Sequence, residues 1–174
     1  MSLRAEASAR DGGNAGLALA RRGLPVEAAG VVSGFTAFRD EISVQPLLEA
    51  LAEAGLTLAL PVVIARAEPL VFRCYRPGDL LVPGLWDIPV PPPTAPELLP
   101  DILLAPLLAF DRQGFRLGYG GGFYDRTLAK LRALKAITAI GVGFAAQEVD
   151  AVPRGPYDQP VDWIMTEMES FACR

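Results

Sequence analysis

The chain has 174 residues, 51% of them hydrophobic and 21% charged, which suits one domain burying roughly two-thirds of its unfolded-state surface and excludes a disordered chain. Sixteen basic against twenty acidic residues leave a net charge of -4, so the sequence-independent electrostatic pull that a nucleic-acid binder needs is missing. Histidine is absent; imidazole triads, Cys-His dyads and histidine metal sites are excluded, and any metal must be held by oxygen.

From the N-terminus, Leu17, Leu19 and the surrounding alanines favour helix. Gly12, Gly13, Gly16 and Gly23 each disfavour it by about 1 kcal/mol, so a short or broken helix is expected over residues 1–30. Arg4, Glu6, Arg10 and Asp11 stand where a signal peptide would be apolar, and no apolar run reaches the ~18 residues of a membrane span. A cytoplasmic protein without membrane association is expected. Val31 to Phe35 reads as a strand, with Arg39-Asp40-Glu41 as a charged loop behind it. Ser43 resembles an N-cap. Val44, Leu47, Leu48 and Leu51 follow at helical spacing and Gly55 serves as a stop, predicting a helix over 43–54.

Leu56 to Ile64 is a near-continuous apolar run of the kind buried on both faces of a parallel sheet, and Leu70 to Tyr75 supplies another strand. Six prolines between Pro89 and Pro100 predict an extended polyproline-like connection, a loop or lid. Ile102 to Ala105 and Leu107 to Phe110 resume strand character. Phe123 to Leu134 carries helical spacing, Ala136 to Phe144 reads as strand, and Trp163 to Thr166 as a last short one. The sum is an α/β class, a three-layer sandwich with a largely parallel central sheet, as a single domain over 1–174. Cys74 and Cys173 are far apart and lack C-x-x-C spacing, so free thiols are expected.

The chemistry concentrates in Arg116-Leu117-Gly118-Tyr119-Gly120-Gly121-Gly122-Phe123-Tyr124-Asp125-Arg126, which follows a strand and opens a helix. Glycines let consecutive N–H groups converge on phosphate oxygens, and the helix N-terminus adds partial positive charge. Arg116 and Arg126 flank the loop as candidate phosphate partners. Asp125 suits either Mg²⁺ coordination or a helix cap. No Lys-Ser or Lys-Thr follows, and Phe123 stands where a dinucleotide fingerprint needs its third glycine, so standard nucleotide motifs fail. Phosphate binding and a structural turn both stay open on these residues alone.

At this segment the chain resembles the 5-formyltetrahydrofolate cyclo-ligases, also called methenyltetrahydrofolate synthetases. The resemblance runs from about Val31 to the C-terminus, through Gly34-Phe35, Asp40-Glu41-Ile42, Asp101 to Pro106, the glycine motif, Gly141 to Phe144 with Gln147, and Asp158 with Val161-Asp162. It implies ATP- and Mg²⁺-dependent conversion of 5-formyltetrahydrofolate to 5,10-methenyltetrahydrofolate, ADP and phosphate. In that family the formyl oxygen attacks the γ-phosphorus, folate N10 closes on the activated carbon, and phosphate departs. Positioning and charge neutralisation dominate such phosphoryl transfer, and neither needs histidine.

Carried over by motif, Arg4, Arg116 and Gly118, Tyr119, Gly120, Gly121, Gly122, Phe123 and Tyr124 line the ATP, with Arg116, Tyr124 and Asp125 in the catalytic centre. Asp125 and Asp158 stand on the Mg²⁺ side. Glu41 matches the family's folate-contacting glutamate, and its carboxylate suits the amino-pyrimidinone edge of a pterin. Phe35, Trp86 and Tyr124 complete the folate site. Departures are Val90 where the family commonly has Glu, Tyr157 for a common His, Gly121 where some members have Lys, and a family Lys whose position would precede Met1. These make a folate- or nucleotide-binding relative with little turnover the alternative expectation. A sugar-phosphate enzyme on related α/β architecture is a third.

Overall fold

A computed structural model describes residues 2–174 of the protein. In chain order, α1 (Leu3–Arg22) leads to β1 (Val31–Ser33), α2 (Gln45–Glu53), β2 (Thr57–Val62) and β3 (Val71–Tyr75). A hairpin of β4 (Val82–Pro83) and β5 (Pro89–Val90) precedes β6 (Ile102–Pro106). A second hairpin, β7 (Ala109–Phe110) with β8 (Arg116–Leu117), leads into α3 (Phe123–Leu134). The chain closes with β9 (Thr138–Val142), β10 (Trp163–Met165) and β11 (Ser170–Ala172).

Seven strands form one sheet in the order β11-β10-β9-β6-β1-β2-β3. The inner pairings are parallel, with Val32 facing Leu58 on one side and Ile102 on the other. Both outermost strands, β3 and β11, run antiparallel to their neighbours. Alternation along each strand sends side chains to opposite faces. Ile102 and Leu104 join the core beneath α1 and α2, while Leu103 and Ala105 join the core beneath α3. Strands covered on both faces need apolar residues at every position, which is why they read as continuous hydrophobic runs. The expected three-layer α/β sandwich is the architecture found.

Several local expectations are corrected. The N-terminal helix is continuous despite its glycines. Ala7, Ala15 and Leu19 are buried in the core, and the Arg22 guanidinium donates to the carbonyls of Thr166, Glu167 and Met168. Gly16 helps rather than hinders, because a Cβ there would lie 2.7 Å from the Ser43 carbonyl oxygen. Burial and this close approach outweigh the propensity cost. The helix after it begins at Gln45 with Val44 as N-cap and Pro46 in its first turn, and Ser43 offers Oγ only to the Gln45 N–H at 3.3 Å.

The proline segment is more than a connection. Pro89-Val90 pairs with β4, the Cys74 N–H donates to the Pro96 carbonyl at 2.7 Å, and the Leu98 N–H donates to the Phe72 carbonyl at 2.8 Å. It thereby covers the outer edge of β3, a position where prolines deny a further strand its donors. Residues 107–110 leave the main sheet. Buried Asp111 accepts from the N–H groups of Gln113, Phe115 and Val152, tightening the turn of the β7–β8 hairpin. The last strand, β11, has no counterpart among the expected elements. Cys74 and Cys173 are free and half-buried.

Candidate active site

From β1 the chain crosses to β2 on one side, and later strands build outward from β6 on the other. Ligands of open α/β sheets bind at the carboxyl ends of strands where the winding reverses in this way. A cavity of about 360 Å³ opens there. Phe35, Val63 and Pro106, from the carboxyl ends of β1, β2 and β6, form its floor.

One wall is the glycine loop, every residue of which from Gly118 to Asp125 lines the cavity. Gly120 has φ 88° and Gly122, the N-cap of α3, has φ 65°. Such values cost a residue with a Cβ, so glycine is required for the turn as well as for access. A Cβ built on Gly118 or Gly120 meets nothing within 4 Å, and the N–H groups of Gly118 to Gly122 donate to no acceptor among the described residues. Unengaged amides beside open space at a helix N-terminus fit an anion such as a phosphate chain. Arg126, whose Nη2 donates to the Gly121 carbonyl at 2.6 Å, braces the loop from outside.

Arg116 on β8 has a side chain only 5% exposed. Its Nη1 donates to the Gln159 carbonyl at 2.7 Å and its Nη2 to Asp125 Oδ1 at 3.2 Å. Asp125 Oδ1 also accepts the Gln159 N–H at 3.0 Å. The carboxylate thus straps the first turn of α3 to the 155–159 loop, where Asp158 Oδ2 accepts from the Gly155 N–H at 2.7 Å. No cluster of three or more acidic, Cys or His side chains able to hold a metal by itself occurs among the described residues. Asp125 and Asp158 line the cavity together and offer hard oxygen ligands. That suits Mg²⁺, which takes one or two carboxylates and completes its shell with water and substrate phosphates.

The opposite wall carries Glu41, its side chain 6% exposed. Burial pushes its carboxyl above the usual range, partly opposed by the Phe38 N–H, which donates to Oε2 at 2.9 Å, and by Arg4. Tyr124 stands nearby. Burial first, and then Glu41, raise its phenol well above the ordinary value, so the hydroxyl stays protonated and able to donate. Trp86 is 58% exposed at the mouth and stacks on Phe38 with ring centroids 6.1 Å apart, and Phe38 meets Tyr119 edge-on at the same separation. Trp86 and Asp87 both have positive φ, at 55° and 59°.

The structure therefore gathers Phe35, Glu41, Trp86, Arg116, the Gly118–Asp125 loop and Asp158 on one cavity. It does not bring Arg4 to that surface: its guanidinium lies behind Tyr119, 5.4 Å from the ring centroid, bonded to Asp40. Phe38 is a lining residue that the sequence reading missed. Its signal was an aromatic three positions before a buried acid, the spacing at which the acid folds back on its N–H. Val90, buried in the wall, makes it apolar where the resembled family commonly has an acid.

Fold and site together define an α/β protein with an apolar cavity at a topological switch point, one buried acid, and an anion-type glycine loop. The 5-formyltetrahydrofolate cyclo-ligase family model matches residues 7–167. The 5-formyltetrahydrofolate cyclo-ligase of Escherichia coli K12 is 38% identical over 147 residues, covering 82% of this chain and 80% of that protein. That of Haemophilus influenzae is 34% identical over 132 residues, covering 73% and 70%. Among solved structures, Aquifex aeolicus 5,10-methenyltetrahydrofolate synthetase superposes with a TM-score of 0.76 at 24% identity, covering 99% of this chain and 91% of its own. The Mycoplasma pneumoniae 5,10-methenyltetrahydrofolate synthetase gives 0.70 at 19% identity, covering 95% and 96%. At these identities the two structures speak to the fold. The chain belongs to the 5-formyltetrahydrofolate cyclo-ligase family, a family of enzymes. No helix among the described residues is long and apolar enough to cross a membrane.

Proposed function

We propose that the protein catalyses ATP-dependent closure of 5-formyltetrahydrofolate to 5,10-methenyltetrahydrofolate, with release of ADP and phosphate. The observation that carries this reading is one cavity with a buried carboxylate on one wall and a glycine loop of unengaged amides on the other. Glu41 accepts N–H bonds from the amino-pyrimidinone edge of the pterin, in a slot walled by Phe35 and Trp86. Tyr124, held protonated, donates to the formyl oxygen. The amides of Gly118 to Gly122 face the phosphates, and Arg116, fixed by Asp125 and Gln159, places a permanent positive charge beside them.

When bound, ATP supplies the phosphoryl group that turns the formyl oxygen into a phosphate leaving group. Glu41, Asp125 and Asp158 outnumber Arg116 among the ionised side chains lining the cavity, so a polyphosphate there needs a cation of its own. Asp125 and Asp158 are the residues that would hold Mg²⁺. This reading keeps the protein in the cytoplasm.

Purified protein given ATP, Mg²⁺ and 5-formyltetrahydrofolate should generate the near-ultraviolet absorbance of the methenyl product. Binding of both compounds without that absorbance would mark a binding relative with little turnover. Stabilisation by sugar phosphates and not by folates would overturn the reading.

A further inference from the structure

Consecutive glycines give the loop before α3 little to hold it in one form. Turning over the peptide between Gly121 and Gly122 changes only the ψ of one glycine and the φ of the other, and neither has a Cβ to favour one side. Which way that peptide faces decides whether the cavity meets an amide N–H or a carbonyl oxygen, a donor or a repulsive acceptor for a phosphate.

One side chain outside the cavity makes that choice. Arg126, one turn into α3, is absent from the cavity lining, and its Nη2 donates to the Gly121 carbonyl at 2.6 Å. Its backbone N–H donates to the next carbonyl, that of Gly122, at 3.1 Å. The Gly121–Gly122 peptide is trans, and in a planar trans peptide the C=O and N–H point to opposite sides. With the Gly121 oxygen drawn outward to Arg126, the Gly122 N–H is turned to the cavity side. There it has no acceptor among the described residues, and no side chain caps the helix. The guanidinium is itself held: it lies over the Phe123 ring, 5.3 Å from the centroid, and a Cβ on Gly122 would stand 2.8 Å from its Nη1. Its Nε is buried without a hydrogen-bond partner, a cost that an arginine swung into solvent would avoid.

Taking the cyclo-ligase reading as given, we propose that Arg126 is a positioning residue for ATP: from behind the loop it pins the Gly121–Gly122 peptide so that the Gly122 N–H faces the phosphates. It touches neither substrate. Its charge also polarises the peptide whose N–H meets the anion, which strengthens that donor.

The test pairs ¹⁵N NMR of the backbone-assigned, ligand-free protein with calorimetric titration of ATP. In Arg126→Met, which keeps a stem over Phe123 and removes the donors, the Gly122 amide should shift or broaden by exchange between two orientations. Kd for ATP should rise roughly tenfold, the loss of one amide bond to a charged oxygen, while Kd for 5-formyltetrahydrofolate stays near the wild-type value. Arg126→Lys, which still offers a donor to the carbonyl, should fall between. If Arg126→Met does not fold, Arg126→Ala, a strong helix former at a helical position, carries the same expectation. An unmoved Gly122 amide, or an unmoved ATP affinity, in the folded variant overturns the proposal. Lost affinity with the amide unmoved would make Arg126 a direct phosphate contact instead. Neither arm needs turnover, so a wild-type protein that binds ATP and makes no methenyl product refutes the cyclo-ligase reading, while the two arms still decide the role of Arg126.

Discussion

Glu41 shows how the site sets function against stability. Its carboxyl is raised chiefly by burial, so the folded protein binds a proton there more readily than the unfolded chain does. Stability from this group is therefore highest at acid pH. It is lost as pH rises from the ordinary carboxyl value through the raised one, and stays lost above it. Gln at this position still accepts the Phe38 N–H and carries no buried charge. Glu41→Gln should accordingly be at least as stable as wild type near neutral pH, with the difference in Tm closing as pH falls. Its affinity for 5-formyltetrahydrofolate should nevertheless drop roughly ten- to a hundred-fold, the loss of charge-assisted bonds worth on the order of 1.5–3 kcal/mol, read by calorimetry. Equal weakening of ATP and folate would make Glu41 a structural residue. Thermal melts across pH and two titrations decide the matter.

At the scale of elements, α1 separates propensity from packing within four residues. Gly13 is exposed and a Cβ there meets nothing, so Gly13→Ala should stabilise by roughly 0.5–1 kcal/mol through helix propensity alone. Gly16 lies against the start of α2, with a Cβ 2.7 Å from a backbone oxygen, so Gly16→Ala should destabilise by about 1–3 kcal/mol as α1 is pushed off its neighbour. Denaturant unfolding of the two variants should give opposite signs. The glycine loop has its own discriminating position. A Cβ at Gly120 meets no protein atom within 4 Å, but Gly120→Val imposes φ 88° on a β-branched residue and extends into the open space before the amides. It should abolish ATP binding while leaving folate binding largely intact, and unchanged ATP affinity in the folded variant would refute the loop's role.

For the whole molecule, the cavity joins segments from Phe35 to Asp158, so a ligand that fills it braces loops from both halves of the sheet. At one hundred times Kd, binding adds about 2.7 kcal/mol to global stability, which for a chain of this size corresponds to a rise in Tm of roughly 5–10 °C. A scan with 5-formyltetrahydrofolate should show one cooperative transition moved upward. A shift confined to a minor early transition would mean that the ligand binds a local segment instead. Much of this architecture was legible beforehand. The helix over Phe123 to Leu134 stands at its expected bounds, and the apolar runs Leu56 to Ile64 and Ile102 to Ala105 hold strands β2 and β6 of the main sheet.

What the sequence by itself determined was local: the period of each apolar pattern, the glycine run that suits a tight turn, and the motif order that carries the family. These depend on neighbours within a few residues, so one chain suffices to read them. The continuity of α1, the departure of residues 107–110 into a hairpin around Asp111, and the Phe38 and Trp86 stack were decided by contacts between segments far apart in sequence. So was the seat of Arg4 against Asp40 and the Tyr119 ring, outside the cavity's lining residues. A side chain's charge is written in the sequence, but its desolvation and its partner are set by whichever distant backbone the fold brings against it, and only the tertiary structure fixes those.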